Sequence, residues 1–365
     1  MTARAERLHA SPWQGVFYLT GGGSPLLADL LTIPGASKTV KEASVPYAEQ
    51  ALRQLLGSAP EQAASMLTGR ILAMRALQRA LALDADRAFG FGLTASLSSA
   101  TTKRGQTRAY WAIQTISQSS SYTLILNNAD SRTEQEQQLN QALWHSIEHS
   151  LLGEEWVECA TKKSSFTAPE HWQPLLAQST WATCTQDHNG ELILPGSFNP
   201  VHQGHRQMLA LAESITGRTG AFELTLRNAD KPDLDYLTVR ERLIDLEGTP
   251  VWLTNLSNFE QKARRFPGAV FALGADTLAR VAQPRFYADD QRRMLQAIDN
   301  MVQQNITFLV FGRVEHGRFV ELSDLDLPSS LTSICRAVPA EVYRNDISSS
   351  AIRAAQSQVV SDSYT

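Results

Sequence analysis

From Glu191 onward, apolar runs alternate with helical segments, and this alternation constrains the fold more than any other feature of the chain. ELILPG reads as a strand entering a turn, and HRQMLALAESI as a helix. AFELTL and PVWLT read as further strands, GAVFALGAD as a strand ending at a polar turn, and NITFLVFGR as another strand. SSSAIRAAQ reads as a late helix, followed by a frayed tail from Gln356 to Thr365. Strands separated by helices imply βαβ units and a parallel sheet, because each crossover returns the chain to the same end of the sheet.

The first half is also mixed. An apolar stretch, Val16 to Leu19, runs into a turn at Thr20 to Pro25, and LLADLLT then reads as a helix stopped by Pro34-Gly35. Residues 60–84 and Thr133 to Leu152 have the three-and-four spacing of amphipathic helices. FGFGLTAS, TRAYWAIQT and SYTLILNN read as strands. The expected division is a first α/β domain over 1–158, a linker or irregular connector over 159–189, and a second domain over 190–365. Two domains also fit the length of 365 residues at roughly 150 per domain.

Composition removes several classes. The 33 Lys+Arg against 37 Asp+Glu leave a net charge of −4, which does not favour a nucleic-acid partner. No apolar run approaches the ~20 residues that span a bilayer, so no membrane is expected. The cysteines Cys159, Cys184 and Cys335 are odd in number and widely spaced, so neither a disulfide framework nor a metal knuckle is expected. A reducing, cytoplasmic location follows. Phosphate chemistry stays open, since helix starts bind anions locally without a basic surface.

One segment carries readable chemistry. Gly196-Ser-Phe-Asn-Pro-Val-His-Gln-Gly-His205 follows a strand and opens a helix. His202 and His205 are three residues apart, so both project to one side of the first turn. Gly196 and Gly204 permit a close backbone approach, and the helix start offers free N–H groups to phosphate. Such a constellation stabilises charge developing at an α-phosphorus, where positioning matters more than a nucleophilic side chain.

The segment GSFNPVHQGH resembles the (H/T)xGH signature of the nucleotidyltransferase superfamily that includes the nicotinamide-mononucleotide adenylyltransferases. Three further segments fit in order: FALGADTL at Phe271 to Leu278, FLVFGR at Phe308 to Arg313, and ISSSAIR at Ile347 to Arg353. The resemblance covers roughly 190–358 and implies a Rossmann-like domain with its site at the carboxyl ends of the strands. It implies catalytic roles for His202 and His205. Nucleotide-binding roles follow for Gly196, Ser197, Phe198, Asn199, Gly204, Gly274, Asp276, Thr277, Ser348, Ser349 and Arg353. The implied reaction transfers AMP from ATP to a small phosphomonoester, nicotinamide or nicotinate mononucleotide, with release of pyrophosphate. Mg²⁺ would travel with the nucleotide, and no protein-held metal is implied. The family's Pro-Pro-His-Lys segment is replaced by Arg227-Asn-Ala-Asp-Lys-Pro232, which leaves Lys231 as the candidate for the substrate phosphate. A cytidylyltransferase making an activated alcohol, and a nucleotide-binding regulatory protein, remain alternative readings.

Residues 15–130 resemble the C-terminal domain of CinA, the nicotinamide-mononucleotide amidohydrolase family, in TGGGSPLLADLLTIPGAS, Tyr47 and FGLTAS. The resemblance implies a CinA-type α/β domain and places Thr20, Tyr47 and Thr94 at its site. The reactive parts differ: Thr20 stands at the family's nucleophilic Ser, Leu19 at its Glu, and Leu52 at its Lys. A degenerate or altered amidase is expected, retained for ligand sensing or for homo-oligomer formation. The turn Thr20 to Gly23 is a candidate anion loop, whereas Lys103 and Arg104 read as solvated charges. Two other patterns read as structural. His145-Ser-Ile-Glu-His149 has zinc-protease spacing but no identifiable third ligand, and FGFGLT reads as a closely packed strand.

Overall fold

The computed structural model describes residues 2–99, 105–227, 232–315, 317–347, 349 and 351–353. Lys103, Arg104, Lys231 and Ser348 lie outside the described residues. The chain divides into two compact units, residues 1–177 with 231–240 and residues 178–230 with 241–365. The change of unit at 177/178 falls inside the stretch 159–189. That stretch is not a bare connector, because it supplies an edge strand to the sheet of each unit. Both strands are short and polar, KKSSFT and ATC, and owe their extended form to pairing rather than to periodicity. Residues 232–240, read from sequence as part of the second domain, belong to the first unit.

The first unit holds a six-stranded sheet. Its strands are β1 (Trp13–Thr20), β2 (Val40–Ser44), β3 (Arg87–Ser96), β4 (Arg108–Thr115), β5 (Gln118–Ile125) and β6 (Lys162–Thr167), in the order β2-β1-β3-β4-β5-β6. β1 runs parallel to β2 and β3, and the remaining neighbours are antiparallel. The helix Met66–Ala82 lies close on β3, where a Cβ at Gly90 would meet Ala73 O at 2.0 Å and one at Gly92 would meet Ala73 N at 2.2 Å. The glycines of FGFGLT therefore serve helix–sheet contact. The helix starts at Met66 rather than near residue 60, because Ser65 accepts from Thr68 N–H and caps it. The helix Arg132–Leu152 begins with a Ser131/Glu134 capping box and buries Leu139, Leu143, Trp144 and Ile147 against the sheet core.

The second unit holds a seven-stranded sheet and a hairpin. Its strands are β7 (Ala182–Cys184), β8 (Leu192–Gly196), β9 (Ala221–Thr225), β10 (Val251–Thr254), β11 (Val270–Gly274), β12 (Thr307–Phe311), β13 (Arg313–Glu315), β14 (Arg318–Val320) and β15 (Cys335–Val338). The sheet order is β15-β12-β11-β8-β9-β10-β7, and β13 pairs with β14. The neighbours are parallel except for β7 on β10. Counting only the parallel strands from β8, the order is 3-2-1-4-5-6, the doubly wound Rossmann arrangement. Chain order reverses between β8 and β11, so the crevice of this topology opens at their carboxyl ends, Gly196 and Gly274. Among the described residues, no helix is long and apolar enough to cross a membrane.

Candidate active site

Each element ending at the switch point contributes to one cluster. β8 ends at Gly196, where a Cβ would lie 2.6 Å from the Phe198 ring, so glycine lets that ring fold back over the strand end. Phe198 takes φ 45°, an uncommon left-handed conformation for an aromatic residue. Its ring meets Phe222 and His205 edge-on, with centroids 5.0 Å and 5.2 Å away.

The helix Gln203–Thr216 then begins, with His202 at its N-cap in an extended conformation. The rings of His202 and His205 stack with centroids 3.8 Å apart. The His202 backbone N–H donates to His205 Nδ1 at 3.3 Å. An Nδ1 that accepts leaves Nε2 to carry the proton of the neutral ring. Burial, with smaller effects of His202 and Arg313, pushes the His205 pKa down to about 3. Burial, followed by Arg313, also lowers that of His202. Both rings are therefore neutral donors near pH 7.

β11 and β12 supply the opposite wall. Gly274 permits the Asp276 carboxyl to approach, since a Cβ there would lie 2.4 Å from Asp276 Oδ1. Asp276 Oδ2 accepts from Arg313 at 3.2 Å, and both side chains are partly exposed. Thr277 follows, half-buried in the first turn of the helix Ala275–Val281. Arg313 stands inside the resembling FLVFGR segment, yet sequence reasoning did not single it out as a site residue. Its influence on both histidines places its charge at the site.

The C-terminal segment lies against the start of the histidine helix. Tyr343 Oη donates to Gly204 O at 3.0 Å, and Asn345 Nδ2 donates to Gln207 Oε1 at 2.9 Å. Ser349 Oγ donates to Pro200 O at 2.9 Å, and the Arg353 guanidinium donates to Asn199 O. Arg242 donates to Ser197 O at 2.9 Å. Thus Gly196, Ser197, Phe198, Asn199, His202, Gly204, His205, Ser349 and Arg353 are brought together, with Gly274, Asp276 and Thr277 on the adjoining strand end. Arg242, Tyr343 and Asn345 carry no signal in sequence beyond their types.

The first unit's candidate residues converge differently. Thr20 and Thr94 are paired neighbours at the ends of β1 and β3. Both hydroxyls are buried and donate to backbone carbonyls, Thr20 to Pro46 O at 3.1 Å and Thr94 to Ala63 O at 2.6 Å. Tyr47 is exposed. The Gly23 N–H in the glycine turn donates to Glu136 Oε2 at 2.8 Å, so a carboxylate of the chain itself occupies that donor. His145 stacks on Trp156 at 4.4 Å, and His149 Nδ1 lies 2.7 Å from Glu154 O. Among the described residues, no group of three or more His, Cys, Asp or Glu is placed to hold a metal ion.

Comparison with known proteins assigns each half a likeness. Residues 193–355 match the family model described as cytidylyltransferase-like. That family is one of nucleotidyltransferases, so the chain carries an enzyme domain of the nucleotidyl-transferring class. Among solved structures, the chain is similar to the competence/damage inducible protein CihA from Agrobacterium tumefaciens, with 18% identity over 40% of this chain and 92% of that one, and a TM-score of 0.35. It is similar to the competence damage-inducible protein A (ComA) from Klebsiella pneumoniae, with 16% identity over 42% and 96%, and a TM-score of 0.36. A CinA superfamily protein from Escherichia coli matches with 20% identity over 39% and 86%, and a TM-score of 0.30. No curated protein sequence matches the chain.

Proposed function

We propose that the second unit transfers AMP from ATP to nicotinamide or nicotinate mononucleotide and releases pyrophosphate. The observation that carries this reading is the stacked, neutral His202/His205 pair at the start of the helix Gln203–Thr216, beside the β8/β11 switch point. A phosphate oxygen of the mononucleotide attacks the α-phosphorus of ATP. The new P–O bond forms as the bond to the β-phosphate breaks, and pyrophosphate leaves with its electron pair. No side chain needs to become covalently attached.

The residues of this chain bind and orient. His205, with Nδ1 already accepting from the backbone, keeps its Nε2–H as the donor for oxygens of the reacting phosphate. His202 adds a second donor, and the first-turn N–H groups add partial positive charge. A donor aimed at developing charge in a preorganised site contributes about 2.7–4 kcal/mol to the transition state. Arg313 provides a permanent positive charge on the facing wall, held by a half-exposed pair with Asp276 that costs little to open. Asp276 is already engaged by Arg313, so Mg²⁺ would take its ligands from the nucleotide phosphates and water.

The first unit is best read as a degenerate amidase scaffold. Its two candidate hydroxyls are committed to carbonyls, and Glu136 fills the glycine turn. A second reading of the second unit, cytidylyl transfer from CTP, is favoured by the description of the matching family. Pyrophosphate release by the wild type and by His205→Ala, with the fold of the variant checked by circular dichroism, tests the site. Loss of turnover in a folded variant supports it, and unchanged turnover refutes it.

A further inference from the structure

We propose that Tyr343 and Asn345 are positioning residues for the histidine pair: they hold the first turn of the helix Gln203–Thr216 at Gly204 and Gln207, and so set how His202 and His205 present their donors. The inference rests on the reading of both histidines as donors to the reacting phosphate. All the residues it uses belong to the second unit.

The segment that carries the two side chains is fixed without help from the histidine helix. It leaves β15 at Val338, the registered partner of Phe311 at the end of β12. Tyr343 N–H donates to Pro339 O at 3.1 Å, which turns the chain back, and Ala340 N–H donates to Glu321 Oε1 at 3.1 Å. The Tyr343 ring meets Phe311 edge-on at 5.1 Å, and the Arg344 guanidinium lies 5.0 Å from the centre of the Phe319 ring on β14. Consecutive residues thus seat the segment on β12 and on the hairpin.

From that seat two contacts reach the histidine helix. Tyr343 Oη donates to Gly204 O at 3.0 Å. A carbonyl oxygen accepts twice, so this bond needs no break in the helix. Burial pushes the Tyr343 pKa up to about 12, against a smaller lowering by Arg313, so the hydroxyl keeps its proton near neutral pH. Asn345 Nδ2 donates to Gln207 Oε1 at 2.9 Å, while its Oδ1 accepts from Ile347 N–H at 2.9 Å, which orients the amide. A Cβ on Gly204 would lie 3.0 Å from His202 Nδ1 and 3.2 Å from Asn345 Cγ. The missing side chain lets the Asn345 amide and the His202 ring close on the same spot of the helix start.

The helix start benefits from such an outside hold. Its N-cap is His202, which is not among the small polar residues that favour this position. Gly204, in the first turn, adds backbone freedom that must be lost when the helix forms. Donors in a preorganised site lose effect steeply when displaced, since a misplacement of about 1 Å can cost on the order of 100-fold in rate. A hydroxyl and an amide that hold the first turn act on rate through the rings and not by touching substrate.

The test compares the wild-type full chain with Tyr343→Phe, which deletes the hydroxyl and keeps the ring on Phe311, and with Asn345→Ala. Circular dichroism and thermal denaturation report on the fold. Long-range proton–nitrogen correlation spectra of the histidine rings, assigned through His202→Ala and His205→Ala, report the His205 tautomer directly. Pyrophosphate release from Mg-ATP, with Mg-CTP in parallel, and a pyridine mononucleotide gives kcat and KM. The expected result in both variants is a His205 Nδ1 signal shifted towards the average of two tautomers, with kcat lowered about 10-fold and the KM for the nucleotide changed less than about 2-fold. Ring spectra unmoved in the folded variants overturn the inference, and so does an unchanged kcat, or a loss confined to KM or to thermal stability. If Tyr343→Phe does not fold, Asn345→Ala decides by the same readouts. A wild type that releases no pyrophosphate with either nucleotide defeats the functional reading instead, and the ring spectra then decide the positioning alone.

Discussion

The His202 N–H donates to His205 Nδ1 at 3.3 Å while the two imidazoles stack 3.8 Å apart. One contact fixes the tautomer and the other keeps both rings together on the helix start. The pair is held neutral by burial, so acid acts against the native state. The His205 pKa is lowered to about 3 from an ordinary 6.5. Between these values the unfolded chain binds a proton that the native chain does not. Stability is therefore predicted to fall as pH drops from about 6.5 towards 3, with a slope of at most about 1.4 kcal/mol per pH unit from this group. Denaturant titrations across that range, compared with His205→Asn, check this. A slope unchanged by the substitution contradicts it.

Gly92 predicts a steric penalty. An alanine Cβ there would lie 2.2 Å from Ala73 N and 2.5 Å from Gly69 O, both backbone atoms that cannot turn aside. Gly92→Ala should push the helix Met66–Ala82 off β3 and cost about 1–3 kcal/mol of stability. Urea unfolding measures it, and a change within 0.5 kcal/mol, roughly the scatter of surface substitutions, contradicts the packing.

Thr20 provides the opposite expectation. Its hydroxyl donates to Pro46 O rather than facing a reactive group. Thr20→Ala should cost about 1 kcal/mol for the lost hydrogen bond and leave pyrophosphate release unchanged. Amide hydrolysis of nicotinamide mononucleotide by the wild type, abolished in this variant, would instead make Thr20 a nucleophile.

Much of the second unit was legible because its parallel strands are buried apolar runs. FALG, FLVF and the entry to the histidine turn each announce themselves. The short edge strands β6 and β7 do not, since their conformation comes from hydrogen-bonding partners distant in sequence. The helix Tyr236–Ile244 was equally hidden behind DKPDLD, where proline and aspartates read as loop. Asp235 becomes a cap and an ion-pair partner only once Arg70 is beside it. The motif segments are legible in the sequence and Arg313 stands in one of them, whereas Tyr343 and Arg242 come beside the histidine turn through tertiary folding alone.

A buried pair in the second unit gives a further stability prediction. Lys262 Nζ donates to Glu223 Oε2 at 2.5 Å and to Thr225 Oγ1 at 2.8 Å, and both charged groups are buried. Lys262→Met leaves the Glu223 carboxylate unpaired and should cost about 3–5 kcal/mol. Adding Glu223→Leu should restore much of the loss. Thermal unfolding of the single and double variants checks the sign, and a double variant less stable than either single one contradicts it.

The central claim is nucleotidyl transfer by the second unit, and the most direct measurement is pyrophosphate release from the full chain. ATP and CTP are each supplied with Mg²⁺ and paired in turn with nicotinamide mononucleotide, nicotinate mononucleotide and a panel of other phosphomonoesters. The account predicts release with ATP and a pyridine mononucleotide, accompanied by a dinucleotide product and lost in His205→Ala. Release only with CTP would replace the proposed donor with the second reading. No release with any pair, from a folded protein, would contradict the account.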